Sequence, residues 1–151
     1  MDLSYRQAER KDLHDIVQLL FQDELGAQRE SFSGELDEIY ISAFEKIQSD
    51  TNQELYVAEL EGEIIGTFQL SFLQYLTYKG GLRAQIEAVR VKSTHRGMGI
   101  GRKMFDYAIV RSKQKGAHLL QLTTDKRRPE ALKFYESIGF VASHEGMKLH
   151  F

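Results

Sequence analysis

The residues best suited to chemistry gather at one turn. In His95-Arg96-Gly97-Met98-Gly99-Ile100-Gly101, three glycines stand two apart behind an arginine. Glycine lacks Cβ, so it takes positive φ at little cost and lets a ligand come close to the backbone. The residues from Ile100 onward read as a helix, whose first N–H groups have no intrahelical acceptor and carry the positive end of its dipole. Such a terminus suits a phosphate or pyrophosphate, and Arg96, Arg102 and Lys103 add positive charge beside it. Two common phosphate-binding patterns fail on spacing. GxGxxG requires glycine at 97, 99 and 102, but residue 102 is Arg, and no acidic residue follows at the end of a paired second strand to hold a ribose. The P-loop requires Gly-Lys-Ser/Thr, where this chain has Gly101-Arg102-Lys103-Met104.

Composition removes other chemistries. The chain has no Cys, which excludes disulfides, thiolate catalysis and Cys-ligated metals. His95 beside the glycine turn reads as a surface residue and His118 as structural, and no metal site is expected. A net charge of −2 provides no field for nucleic acid or an anionic membrane. No stretch approaches the ~20 apolar residues of a membrane span. The N-terminus, Met1-Asp2-Leu3-Ser4-Tyr5-Arg6, lacks the apolar core of a signal peptide, so the expected location is cytoplasmic.

The elements that must position the turn follow from periodicity. With 151 residues, one proline (Pro129) and no Gly/Ser/Pro-rich linker, the chain reads as a single domain over residues 1–151. A strand at 3–8 leads to a helix capped by Asp12, with Leu13, Ile16, Val17 and Leu20 on its buried face. Residues 22–34 read as a loop. A helix over 35–48 carries Leu36, Ile39, Tyr40, Ala43, Phe44 and Ile47 on one stripe. Strands at 55–60 and 64–75 flank Glu61-Gly62-Glu63 as a hairpin, and another runs over 83–91 after Lys79-Gly80-Gly81. A helix over 100–115 closes at Gly116, followed by a strand at 118–124. Pro129 opens a last helix ending at Gly139, and residues 147–151 finish as a strand. The order β-α-α-β-β-β-α-β-α-β is an antiparallel meander followed by two β-α units, which a mixed sheet with helices on both faces accommodates.

Three stretches together carry a family resemblance. Arg96-x-x-Gly99-x-Gly101, the preceding Ile86-Glu87-Ala88-Val89-Arg90-Val91, and Ala131-Leu132-Lys133-Phe134-Tyr135-Glu136-Ser137-Ile138-Gly139-Phe140 resemble the central and C-terminal motifs of the GNAT N-acetyltransferase superfamily. The resemblance covers nearly the whole chain. It implies an α/β (α+β) fold with a mixed sheet of about six to seven strands, helices on both faces, and a splay between strands 4 and 5. It also implies acetyl-CoA as co-substrate, with pantetheine along the backbone of Val89, Arg90 and Val91. The pyrophosphate would then lie at Arg96, Gly97, Met98, Gly99, Ile100, Gly101 and Arg102.

The same resemblance gives Tyr135 as the acid that protonates the departing thiolate, or as a positioner of the thioester. It gives Glu87 as the base for the amine, acting directly or through water and poised by partial burial; the alternative is a solvated or salt-bridged strand carboxylate. Many members have Asn where this chain has Arg128, so the basic run Lys126-Arg127-Arg128 either meets CoA phosphates or forms a solvated helix entrance. The acceptor cleft would be lined by residues 22–34, 70–78 and 143–150, whose acidic and aromatic groups suit a cationic amine. The implied activity is acetyl transfer to the primary amine of a small molecule by direct attack in a ternary complex. Protein or peptide acetylation and a non-catalytic acyl-CoA-binding regulatory module are the alternatives. A homodimer through the C-terminal strands is compatible with Met147, Leu149 and Phe151.

Overall fold

The computed structural model describes residues 2–23, 25–30 and 32–151. One five-stranded sheet holds β1 (Leu3–Gln7), β2 (Gln53–Leu60), β3 (Glu63–Gln74), β4 (Leu82–Val91) and β5 (Leu119–Gln121) in sequence order. The first four strands are antiparallel, and β5 lies parallel to β4. Five strands replace the six to seven expected. The missing one is residues 147–151, which form no strand; Met147, Leu149 and Phe151 are 93%, 82% and 116% exposed. Their alternating apolar pattern does not pair with the outer edge of β5, the last strand of the sheet. Just before the segment, Glu145 meets Lys126 at 3.5 Å.

Helices cover both faces of the sheet. On one side α1 (Leu13–Phe21) and α2 (Glu38–Ser49) enclose Leu13, Val17 and Phe44, with Leu55 of β2 packed against them. The buried side of α2 differs from the expected stripe. Tyr40, Ile41 and Phe44 face the core, while Ile39 is 64% exposed and Ala43 lies outside. Asp37 caps the helix by accepting from the Ile39 amide at 3.0 Å, so the helix begins three residues later than expected. Asp12 precedes α1, but its carboxylate accepts from the Glu9 amide at 2.7 Å and binds Arg6, making no cap bond to the helix.

On the other face α3 (Ile100–Gln114) presents Ile100, Met104, Phe105 and Ala108 to Phe68, Leu70 and Ile86 of the sheet. Burying each large apolar side chain contributes roughly 1.5–3 kcal/mol. One buried polar contact fixes α3 against β2. Glu54 accepts from Arg111 Nε at 2.9 Å and from Tyr56 hydroxyl at 2.7 Å. Burial alone would raise the Glu54 pKa; the Arg111 and Tyr56 hydrogen bonds outweigh it and hold the carboxyl below its ordinary value. The β2–β3 hairpin turns on two residues, Glu61 (φ 51°) and Gly62 (φ 82°), the positive-φ pair of a type I′ turn. The last helix, α4 (Pro129–Ser137), packs on α3 through Phe134 and Tyr135, 5.8 and 5.6 Å from the Phe105 ring.

Candidate active site

The site begins with a break in the sheet. β5 pairs with β4 only at Arg83, Ala84 and Gln85, so residues 86–91 of β4 have no strand on that side. This is the splay expected between strands 4 and 5. β5 is accordingly three residues long, where residues 118–124 were expected. β4 also bulges here. Its pairing with β3 steps from Gln69↔Glu87 to Thr67↔Arg90, so two residues of β4 stand opposite Phe68, and Ala88 takes φ 53°. Past the bulge, Val89 and Val91 keep their side chains against the core. Their carbonyls accept from arginine side chains, Val89 from Arg90 Nη1 at 2.9 Å and Val91 from Arg96 Nε at 3.3 Å.

The open edge leads into the glycine turn. Lys92 N–H bonds to the Ile65 carbonyl at 2.7 Å, a short 3₁₀ turn spans Ser93–His95, and Gly97 (φ 78°) and Gly99 (φ 76°) are both left-handed. Gly99 is the N-cap of α3, and Ile100 behind it is fully buried, which anchors the helix start. Gly101 is helical, and a Cβ there would sit 3.8 Å from Phe134 Cζ, an ordinary contact. Arg102 lies on the surface 3.9 Å from Asp106. Met98 is exposed. Gly66 sets the spacing underneath: a Cβ there would come within 2.9 Å of the Arg90 carbonyl and 3.0 Å of Met104 Sδ. Its absence lets β3, the bulged strand and α3 meet.

Tyr135 is half-buried among Phe105, Phe134 and Phe140. Burial raises its pKa, the Arg128 and Arg90 charges oppose the rise, and Glu87 adds to it, so the phenol stays protonated well past neutrality. Glu87 stands on β4 just before the bulge. It is exposed, without the partial burial expected of it, and accepts from Gln85 Nε2 at 2.8 Å.

Sequence reasoning missed a cluster beside these two. Asp23, just after α1, receives three guanidinium groups on a single oxygen. Arg90 Nη2 lies 3.5 Å from Asp23 Oδ2, Arg29 Nη2 lies 4.0 Å from it, and Arg128 Nη2 donates to it directly. The Gly26 amide donates to the same oxygen at 3.0 Å. Burial alone would raise the Asp23 pKa; Arg90, the Gly26 amide and Arg128 together lower it. The signal in the sequence was Arg90 itself, a long cationic side chain between two core valines, and Arg128 at the helix entrance. Nothing local connects either with residue 23.

The basic run before α4 is divided. Arg127 turns back to Asp125 at 2.7 Å, Lys126 meets Glu145, and Arg128 binds Asp23. Tyr75 and Tyr78 sit under Arg83, 4.4 and 5.5 Å from its guanidinium, at the far end of β4. The His118 ring lies 5.2 Å from that of Tyr78, and His95 bonds Thr94. Glu24 of the expected cleft lies outside the described residues. A polar groove of about 670 Å³ opens near Arg6, Asp12 and Glu59, but these residues are paired with one another. Among the described residues no group of three or more His, Asp or Glu side chains could hold a metal ion, and no helix is long and apolar enough to cross a membrane.

Comparisons agree with this architecture. A crystallised transcriptional regulator from Bacillus halodurans C-125 superposes with a TM-score of 0.96 at 49% identity, over 99% of this chain and 100% of that one. An aminoalkylphosphonate N-acetyltransferase from Salmonella typhimurium is 30% identical over 95 residues, 63% of this chain and 61% of that protein. A glucosamine 6-phosphate N-acetyltransferase from Trypanosoma brucei brucei is 31% identical over 88 residues, 58% of each chain. In both of these enzymes the match takes in less than two thirds of the relative's own length. The model of the acetyltransferase (GNAT) family matches residues 13–140. With that model spanning most of a chain that has the splayed fourth strand and the glycine-capped helix, the protein belongs to the GNAT acetyltransferase family.

Proposed function

We propose that this chain is an N-acetyltransferase that moves an acetyl group from acetyl-CoA to the primary amine of a small molecule. One observation carries the reading: the unpaired edge of β4 ends at two left-handed glycines on the N-terminus of α3, with Glu87 just before its bulge and Tyr135 packed on the same core as Val89 and Val91. Pantetheine fits that edge as a strand would, bonding to Val89, Arg90 and Val91 backbone in place of the arginine donors. The pyrophosphate fits residues 96–102, where first-turn amides and the helix dipole meet an anion. The amine nitrogen attacks the thioester carbon, the C–S bond breaks, and the thiolate takes the Tyr135 proton. Glu87, exposed and hydrogen-bonded to Gln85, accepts the proton lost by the amine, directly or through water.

Both relatives above are named for small amines, which supports a small acceptor. The Bacillus halodurans protein is named a regulator, and this favours as second reading an acyl-CoA-responsive module without turnover. A thiol-release assay with acetyl-CoA and a panel of amines separates the two. Release above the hydrolytic background is expected with at least one small amine. Tight acetyl-CoA binding by calorimetry with no release across the panel would favour the regulator. No acetyl-CoA binding at all would overturn both.

We further propose work in the cytoplasm, which the absence of Cys fits, and a homodimer. The apolar arm at 141–151 and the outer edge of β5, the last strand of the sheet, support a second copy whose arm each protomer receives.

A further inference from the structure

Three arginines around one carboxylate leave a charge imbalance. Arg90 and Arg128 converge on Asp23 Oδ2 from β4 and from the N-cap of α4, and Arg29 approaches from the loop that carries Asp23. Glu87, the other acid near Tyr135, is turned to Gln85. Counting these five groups leaves one positive charge in excess. The Arg90 side chain is only 13% exposed, and its Nε–H is buried with no acceptor. A buried guanidinium nitrogen without a partner is costly. The cluster also lies where chemistry is proposed: Arg90 follows the β4 bulge and Arg128 is the N-cap of the helix that carries Tyr135.

An ion-pair latch holding the loop would need one arginine. Three on one oxygen, with an unused buried donor, instead describe a receptor for an oxyanion in which Asp23 holds part of the place. Planar guanidinium forks bind carboxylate and phosphate oxygens in pairs, which suits such a receptor. A surplus cation beside the acetyl-transfer point has two consequences for an acceptor. It disfavours acceptors bearing several positive charges, and it lowers the pKa of the attacking amine, which must be neutral to react. The second amounts to assistance; the first to selection.

We propose that the acceptor is an amine that also carries an oxyanion, of the phosphate or carboxylate class, and that Arg90, Arg128 and Arg29 bind that oxyanion. This rests on the acetyltransferase reading above, and it reverses the expectation of a cationic acceptor drawn from the acidic residues of the 22–34 loop. CoA itself carries phosphates, so the test must tell acceptor from donor.

The test compares ethanolamine, O-phosphoethanolamine, β-alanine and spermidine as acceptors at saturating acetyl-CoA, by thiol release. The expected result is a kcat/KM for O-phosphoethanolamine or β-alanine at least tenfold above ethanolamine, with spermidine the poorest. Arg128→Gln should erase that preference through the KM of the anionic acceptor and leave the KM for acetyl-CoA within twofold. Asp23→Asn should raise the ratio of anionic to neutral acceptor, because the competing carboxylate is gone; a loop-pinning role alone would lower both acceptors equally. A preference for ethanolamine or spermidine would overturn the proposal. So would an Arg128→Gln loss shared equally by all acceptors, or one that appears in the acetyl-CoA KM. Should no amine turn over, the acetyltransferase reading fails separately, and binding still decides on the oxyanion. O-Phosphoethanolamine should then raise the Tm of CoA-loaded protein, ethanolamine should not, and Arg128→Gln should abolish the shift; absence of the shift would overturn the receptor.

Discussion

At the scale of single residues, the glycine turn separates conformational need from ligand need. Gly99 holds φ 76°, so Gly99→Ala forces a side chain into the left-handed region, at about 1–2 kcal/mol. Gly101 is helical with room for a methyl against Phe134. Gly101→Ala should therefore keep or slightly raise the Tm, gaining up to about 1 kcal/mol of helix propensity. Its acetyl-CoA Kd should rise tenfold or more, because the methyl stands where the pyrophosphate would meet the backbone. Calorimetry beside a melting curve checks both, and unchanged Kd would remove the pyrophosphate from this turn. Tyr135 gives a second test. Its raised pKa means that the acid form persists above the ordinary tyrosine value of about 10 and is lost only as pH rises beyond that. Tyr135→Phe should lower kcat about 10²-fold or more, leave the acetyl-CoA Kd within twofold, and remove any alkaline limb from the pH profile. Of the site, the sequence showed what lies within one motif: the glycines and Tyr135 each announce themselves by near neighbours. Asp23 and Arg128 are 105 positions apart, and no local pattern could pair them.

Among the elements, strands and helices with strong periodicity were legible, and the boundaries set by partners were not. β5 was expected to reach residue 124 because its residues favour strand; it stops at Gln121 because β4 has bulged away and offers no further pairing. The buried side of α2 was misjudged by about one residue, since periodicity finds an apolar stripe and cannot say which flank of it meets β2. The Glu54–Arg111 contact between β2 and α3 was also invisible, being a matter of register. It makes a prediction about acid stability. The folded pKa of Glu54 is depressed, so its contribution is present above the unfolded value of about 4.3 and is lost as pH falls through the folded one. Glu54→Gln should cost about 3 kcal/mol at pH 7 by leaving Arg111 without its carboxylate. It should also flatten the loss of stability between about pH 5 and pH 3. Urea unfolding at several pH values measures this, and a parallel loss at every pH would show that the charge is not what matters.

Across the whole molecule, the order of elements and the mixed sheet followed from the sequence, whereas the fate of the last residues did not. Alternation at Met147, Leu149 and Phe151 marks a strand without naming the edge it joins, and within this chain the segment leaves the outer edge of β5 unpaired. If the arm of a second copy pairs there, removal of residues 141–151 should convert a dimer into a monomer by light scattering while leaving the far-UV spectrum of the rest in place. A full-length chain that is monomeric at micromolar concentration would defeat the dimer. The splay has a consequence of its own. Along residues 86–91 the sheet lacks one ladder, and on the reading proposed here the co-substrate supplies it. Folding and donor binding then share a free energy: the amides of that edge exchange with solvent slowly only while the donor is bound, and thermal stability rises with its concentration by mass action. On that reading the melting temperature of the chain tracks the acetyl-CoA concentration around it, before any acceptor arrives.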